Sequence, residues 1–265
     1  MHAGSAALAG LGCAALLAGG EAGAQMPVDV ELVLAVDMSQ SMDAGEHELQ
    51  RSGYLAALVH PDVLGAIRSG IYGRVAITYV EWGGPLSQAV AVPWTLVEDA
   101  ASARGFAAAL AARPIRTIHG TSISGALAFA ASRFEANGYD GFRRVIDVSG
   151  DGPNSTGRPV VPIRDAVLEQ GLVINGLPIM LRQPGYTPWS IPDLDIYYAD
   201  CVIGGPGAFV LPVDDPRQLA DAIRQKLVLE IAGTPPRLMP ATATTRAARI
   251  DCLIGEKLRQ RWSYP

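Results

Sequence analysis

The chain has little of several features that point directly to a function. Its 265 residues include only three cysteines, and no Cys and His residues have the spacing of zinc ligands. Positive charge is not in excess, because the net charge is -5, which argues against nucleic acid as the main partner. Beyond the first two dozen residues, no apolar run reaches the roughly 18 residues that a membrane span needs. These absences exclude a zinc site of the usual spacing and predict no transmembrane segment.

Familiar catalytic motifs are also absent. No P-loop is found, and no G-x-G-x-x-G follows a predicted strand. "DVSGDG" is not a nucleophile elbow, because Asp147 stands where G-x-S-x-G needs its first glycine. We interpret His119 as a surface residue rather than as part of a Ser-His-Asp set.

The two ends of the chain differ from its middle. Residues 1–24 are an apolar Ala/Leu/Gly stretch with an A-x-A pattern before Gln25, which predicts a signal peptide and a periplasmic or secreted protein. Residues 234–265 are rich in Pro, Thr and Ala and are predicted to form a linker and C-terminal tail. Cys201 and Cys252 are left in the middle and tail, either as a disulfide or as two separate buried thiols.

Between these ends, from 25 to 233, apolar strand patterns alternate with helical ones. Strands are predicted over 30–37, 72–83, 87–97, 142–150, 172–179 and 208–213. Helices are predicted over 45–67 with an interruption at Pro61, and over 99–113, 120–138, 159–171 and 215–233. Such alternation predicts an α/β protein with three layers, a doubly wound and mostly parallel sheet covered by helices on both faces.

Polar residues follow several of these strands. The stretch "LVLAVDMSQSMD" begins as an apolar strand and ends with Asp37, Ser39 and Ser41 on alternate positions. Thr121 precedes a predicted helix in "HGTSIS", and Asp151 follows the strand in "RRVIDVSGDG". Because ligands of open α/β sheets bind beyond the carboxyl ends of the strands, we expect these five residues at one edge.

All five side chains offer hard oxygen atoms. Two carboxylates and three hydroxyls suit Mg²⁺, with Mn²⁺ or Ca²⁺ as alternatives, and do not suit Zn²⁺ or Cu²⁺. Such a site roughly neutralises a dication and leaves a coordination position for an acidic group of a partner. Ordinary structural roles are the alternative: Asp37 or Ser41 would cap the following helix, Thr121 would cap the next, and Asp151 would be a turn residue.

The three elements together resemble the von Willebrand factor type A (vWA) domain, whose sheet is Rossmann-like. The resemblance covers residues 28–233, and "VSGDGPN" and "YYADCVIGGPGAFV" are similar to a bacterial branch of that superfamily known only as a domain of unknown function. It implies a metal-ion-dependent adhesion site. Ser39, Ser41 and Thr121 would touch the metal through their hydroxyls, and Asp37 and Asp151 would bind directly or through water.

This sequence departs from the family pattern at one point. Ser149 and Gly150 precede Asp151, which makes the turn looser, and Asp147 is the alternative ligand although it lies about 13 Å upstream in an extended strand.

The function predicted in this way is an exported, metal-dependent module that binds an acidic residue of another protein. The alternatives are a metal-assisted phosphohydrolase and an ion site that is only structural. Tyr186, Pro188 and Trp189 belong to a long loop, with a recognition surface as the less favoured interpretation.

Overall fold

Five strands form a single sheet: β1 (Met26–Asp37), β2 (Val75–Trp82), β3 (Gln88–Val97), β4 (Tyr139–Gly150) and β5 (Val173–Pro178). Their order in the sheet is β3-β2-β1-β4-β5. All neighbours are parallel except β2 and β3, so the edge strand β3 is antiparallel. The central strand is wholly buried from its third residue onward, as expected for a parallel strand with helices on both faces.

Helices cover both faces of this sheet. Alternate residues of β1 point to two separate apolar clusters, with Leu32 and Leu34 in the first and Val33 and Ala35 in the second. The first cluster contains α1 (Ala44–Leu58), α2 (Pro61–Arg68), α3 (Ala100–Ala111) and α7 (Leu219–Ala232). The second contains α4 (Ile123–Ser132), α5 (Val160–Leu168), α6 (Leu194–Tyr197) and a π-helix (Tyr198–Val202), and α8 (Ile254–Ser263) begins against it. The predicted three-layer α/β/α class is confirmed.

This computed structural model describes Met1 and residues 25–181, 190–233 and 250–263. The predicted signal peptide from residue 2 onward, the loop residues Tyr186, Pro188 and Trp189, and the predicted linker at 234–249 lie outside the described residues. None of the helices in the described ranges is both long and apolar enough to cross a lipid bilayer.

Proline explains two local features. Pro61 interrupts the first predicted helix as expected, because it occupies the first turn of the separate helix α2, where its missing N–H costs nothing. The predicted strand over 208–213 forms only isolated bridges, Gly176 with Val210 and Ile179 with Val213. Between these bridges Pro178 of β5 has no N–H to donate to the carbonyl of Leu211, so the ladder is interrupted there.

Part of the predicted tail is folded onto the domain. Residues 254–263 form the helix α8, and Cys252 just before it is bonded to Cys201 in the π-helix. The two Cα atoms are 5.6 Å apart. Of the two possibilities that the sequence left open for these cysteines, the structure has the disulfide.

A buried charge cluster joins the sheet to α7. Lys226 is fully buried, and its ammonium lies 2.6 Å from the carboxylate of Asp147 and also pairs with Glu230. Asn175 on β5 donates a hydrogen bond to Oε1 of Glu230, the oxygen that also pairs with Lys226. Burial, followed by repulsion from Asp147, raises the pKa of Glu230 to about 8 despite its pairing with Lys226.

The raised pKa of Glu230 predicts a pH-dependent cost to folding. The folded protein keeps a proton that the unfolded chain loses at its lower, ordinary pKa, so stability falls as the pH rises through the interval up to about 8. Glu230→Gln removes this titration and keeps the accepting oxygen. Urea unfolding should show the free energy of wild type falling relative to that of the variant between pH 5 and pH 9. For the exposed control Glu135→Gln, the difference in unfolding free energy from wild type should not change with pH. If the difference between wild type and Glu230→Gln is also constant from pH 5 to pH 9, the assignment is contradicted.

Candidate functional site

The first loop of the candidate site begins where β1 ends. Asp37 is fully buried, and its Oδ1 accepts a 2.7 Å hydrogen bond from the backbone N–H of Ser39. This bond turns the chain back, so that Ser39 and Ser41 lie on the same side with their hydroxyl oxygens 2.7 Å apart. The alternation seen in the sequence is therefore a compact loop rather than an extended strand.

The second loop, before α4, is fixed to the first by backbone hydrogen bonds. Ile118 donates to the carbonyl of Met38 at 2.7 Å and accepts from Gln40 at 2.9 Å, so that it brackets Ser39 as in a parallel ladder. Thr121 follows three residues later and is half-buried. These bonds bring the Thr121 loop beside the loop of Asp37.

The third loop begins where β4 ends and touches both of the others. Asp151 accepts a 2.6 Å hydrogen bond from the hydroxyl of Ser41. A few residues later, the backbone N–H groups of Ser155 and Thr156 donate to the carbonyl of Thr121 at 3.0 Å and 3.1 Å. The three loops are thus joined pairwise, and this edge of the sheet holds all five residues that the sequence singled out.

The electrostatics of this edge are dominated by two nearby carboxylates. Burial raises the pKa of Asp37 well above its ordinary value, and the charge of Asp151 raises it further, while hydrogen bonds with Ser39 oppose the shift. The second carboxylate oxygen of Asp37, Oδ2, is buried and has no hydrogen-bond partner among the described residues. Two acids close together, one with an oxygen lacking a partner, favour a positively charged ligand.

Glycine at position 150 allows the end of β4 to lie close to Asp37, Tyr198 and Trp82. A methyl group there would lie 2.8 Å from Oδ2 of Asp37, 2.9 Å from the hydroxyl oxygen of Tyr198 and 3.2 Å from the ring of Trp82. The Tyr198 hydroxyl and the Trp82 indole N–H are also buried without a partner in the described part of the chain. The space beside Asp37 is therefore walled by two aromatic side chains whose polar ends lie in the interior.

The turn before Asp151 is tighter than the sequence suggests. β4 continues through Ser149 to Gly150, so that Asp151 stands directly at the end of the strand. The alternative ligand Asp147 lies deeper in the sheet and is bound to Lys226. The structure therefore places Asp151 with the other site residues and places Asp147 away from them.

The helix-capping roles considered for Asp37, Ser41 and Thr121 are taken by neighbouring residues. Asp43 caps α1 in a reciprocal capping box with Glu46, so neither Asp37 nor Ser41 performs that task. Ser122 caps α4 by accepting from the N–H of Gly125, so Thr121 is not the cap. His119 is exposed.

The donor set fits a hard divalent cation. Among the described residues, no group of three or more His, Cys, Asp or Glu side chains gathers around a common point. The five candidate side chains are two carboxylates and three hydroxyls, and oxygen donors of this kind suit ions that retain water, such as Mg²⁺.

Sequence reasoning missed three residues next to this edge. Tyr198 and Trp82 lie beside Asp37, and Asn154 is buried in the Asp151 loop. Asn154 belongs to the quoted stretch "VSGDGPN", but no local pattern indicates what it contacts. Trp82 carried a weak signal, since it ends the strand next to β1.

Comparison with known families identifies one match. A family model described as "Protein of unknown function (DUF1194)" matches residues 27–235. No curated protein matches the chain.

Solved structures show the same fold at low sequence identity. The pilus adhesin SpaC from Lactobacillus rhamnosus GG has a TM-score of 0.57 at 13% identity, over 77% of this chain and 30% of that one. Proximal thread matrix protein 1 of the mussel byssus, solved with a zinc-occupied MIDAS motif, has a TM-score of 0.54 at 12% identity, over 77% and 46%. The von Willebrand factor domain of the pilus tip protein Mfa5 from Porphyromonas gingivalis has a TM-score of 0.54 at 12% identity, over 80% and 98%. The chain thus spans less than half of the SpaC and mussel chains.

The packing around Gly150 predicts a site-specific loss of stability. Gly150→Ala should lower the free energy of unfolding by about 1–3 kcal/mol, because the added methyl group meets Asp37, Tyr198 and Trp82 at once. Gly152→Ala is the matched control, since that position is buried but has nothing within 4 Å of the added carbon. Equal urea midpoints for the two variants would contradict the close approach described here.

Proposed function

The chain belongs to the DUF1194 family and has the fold of a vWA domain, and we propose that it is an exported protein-binding module that works through a divalent cation. The observation that carries the proposal is the hydrogen-bonded chain of Ser39, Ser41 and Asp151, which joins two loops more than a hundred residues apart in the sequence. It ends beside the buried carboxylate of Asp37.

In this proposal the five side chains hold one ion. Ser39, Ser41 and Thr121 bind it through their hydroxyls, and Asp37 and Asp151 bind directly or through water. When bound, the cation offers an electrophilic position to a carboxylate of the partner protein. Mg²⁺ is the favoured ion, with Mn²⁺ or Ca²⁺ as alternatives, because the donors are all hard oxygens.

Two separate observations support the proposed location of the protein. Residues 1–24 have the composition of a signal peptide. The bond between Cys201 and Cys252 is of a kind that persists in oxidising compartments. Both support a periplasmic or secreted protein, where a partner is met outside the cytoplasm.

We favour a binding role over an enzymatic one for this site. His119, two residues before Thr121, is exposed. Solved proteins of this fold include a pilus adhesin and a pilus tip protein, as their names state. We therefore propose recognition of an acidic residue of another protein rather than hydrolysis of a phosphate ester.

Ion binding is tested by calorimetric titration of the full chain with Mg²⁺, Mn²⁺ and Ca²⁺. Ser39→Ala and Asp151→Asn should each weaken binding about 10-fold or more, because each removes a donor from the ion. Ser69→Ala and Asp140→Asn, the same substitutions at the opposite edge of the sheet, should leave the affinity unchanged. Equal affinities in all five proteins would show that the ion binds elsewhere.

Partner binding is tested separately, with immobilised wild-type protein and the Ser39→Ala variant as baits for an extract of exported proteins from the source organism. A partner that uses the site should be retained by wild type with Mg²⁺ present. It should be lost with chelator and with the variant. If the same amount of partner is retained with chelator present and on the Ser39→Ala variant, the proposed mode of binding is contradicted. Metal-dependent turnover of a phosphate ester, lost in the same variant, would favour the enzymatic alternative.

A further inference from the structure

Helix α8 lies beyond the residues that the family model matches, yet it is attached to the domain. The match ends at 235, and α8 spans Ile254–Ser263. The disulfide from Cys252 to Cys201 fixes its N-terminal end to the π-helix, and Ile254 packs against the second apolar cluster. The same π-helix carries Tyr198, which lies beside Asp37.

The first turn of α8 packs closely against the loop that carries Asp151. A methyl group on Gly255 would lie 2.1 Å from the carbonyl oxygen of Asn154 and 3.1 Å from the ring of Pro153. The next residue, Glu256, accepts a 2.7 Å hydrogen bond from the side-chain amide of Asn154. Contact between this helix and the loop is thus close at the backbone and is reinforced by a charged acceptor.

Asn154 also forms hydrogen bonds with other residues near the candidate site. It is fully buried, and its side-chain oxygen accepts from the N–H of Ser124, in the first turn of α4 and three residues after Thr121. Its amide also donates to the carbonyl of Arg158, and its backbone N–H donates to the hydroxyl of Tyr197. One buried side chain therefore links α8, the Asp151 loop and the start of α4.

We propose that α8 is a disulfide-held clamp whose Gly255 and Glu256 position Asn154, and through it the loops of Asp151 and Thr121, for ion binding. This rests on the proposed function for its consequence, the affinity for the ion. Asn154 and Glu256 are positioning residues, because they act through the loops rather than on the ion. Partners that orient metal ligands in this way commonly change affinity 10- to 100-fold when removed.

The alternative is a helix that only adds stability to the fold. A disulfide stabilises a protein whether or not the helix beside it orders a loop. The two roles differ in what happens to the loop when α8 is displaced from a protein that is still folded. Exchange of the amides at Ser124 and at 154–158 reports that order directly, without any ion.

The experiment perturbs the clamp in three ways in the full chain. Gly255→Ala pushes α8 away from the loop with the disulfide intact, Glu256→Ala removes the acceptor for Asn154, and a phosphine reductant opens the disulfide of wild type. Gly105→Ala, at a helical glycine with nothing within 4 Å of the added carbon, is the control. Hydrogen exchange and calorimetric titration with Mg²⁺ are measured on each protein, and circular dichroism verifies folding.

The clamp predicts faster exchange at Ser124 and 154–158 and about 10-fold weaker Mg²⁺ binding in the perturbed proteins, with the control unchanged. Unchanged exchange and affinity, even with a lower melting temperature, would overturn it and leave α8 as a brace. If oxidised wild type binds no ion, the proposed function fails, and the exchange data alone then decide whether α8 orders the loops.

Discussion

The hydrogen bond from Ser41 to Asp151 is the contact on which the candidate site depends. It is 2.6 Å long and joins the loop after β1 to the loop after β4, while backbone bonds join both to the loop before α4. Each of these loops follows or precedes a rigid element, so their positions are set by the sheet. The fold thereby brings Asp37 and Asp151 close enough for the charge of one to raise the pKa of the other.

Two carboxylates close together at a partly buried edge repel each other, which raises the free energy of the folded protein. Gly150 leaves no side chain in the space beside Asp37, and the polar ends of Tyr198 and Trp82 face the interior nearby. A cation would compensate both carboxylates at once. In the buried cluster at α7, two neighbouring acids are instead paired with a cationic side chain of the protein, because Lys226 contacts both Asp147 and Glu230.

The fold class and the placement of the five candidate residues at one edge could be predicted, because both follow from local patterns and one topological rule. Asp37, Ser39 and Ser41 follow a recognisable buried strand, and the carboxyl ends of parallel strands meet at one edge. The contact between Asn154 and Glu256 could not be predicted, because it joins residues 102 positions apart and the sequence leaves open the disulfide that holds α8 in place. The strand expected at 208–213 is reduced to isolated bridges beside Pro178 of β5, whose effect depends on the register of the two segments.

The central claim is that three loops meet to hold one hard cation. The most direct measurement is a crystal structure of the protein soaked in Mn²⁺, with data collected to locate manganese by its anomalous scattering. The account predicts one strong peak in contact with the hydroxyls of Ser39, Ser41 and Thr121, with Asp37 and Asp151 bound directly or through water. A peak at another place, or a fully ordered site with no peak at saturating Mn²⁺, would contradict it.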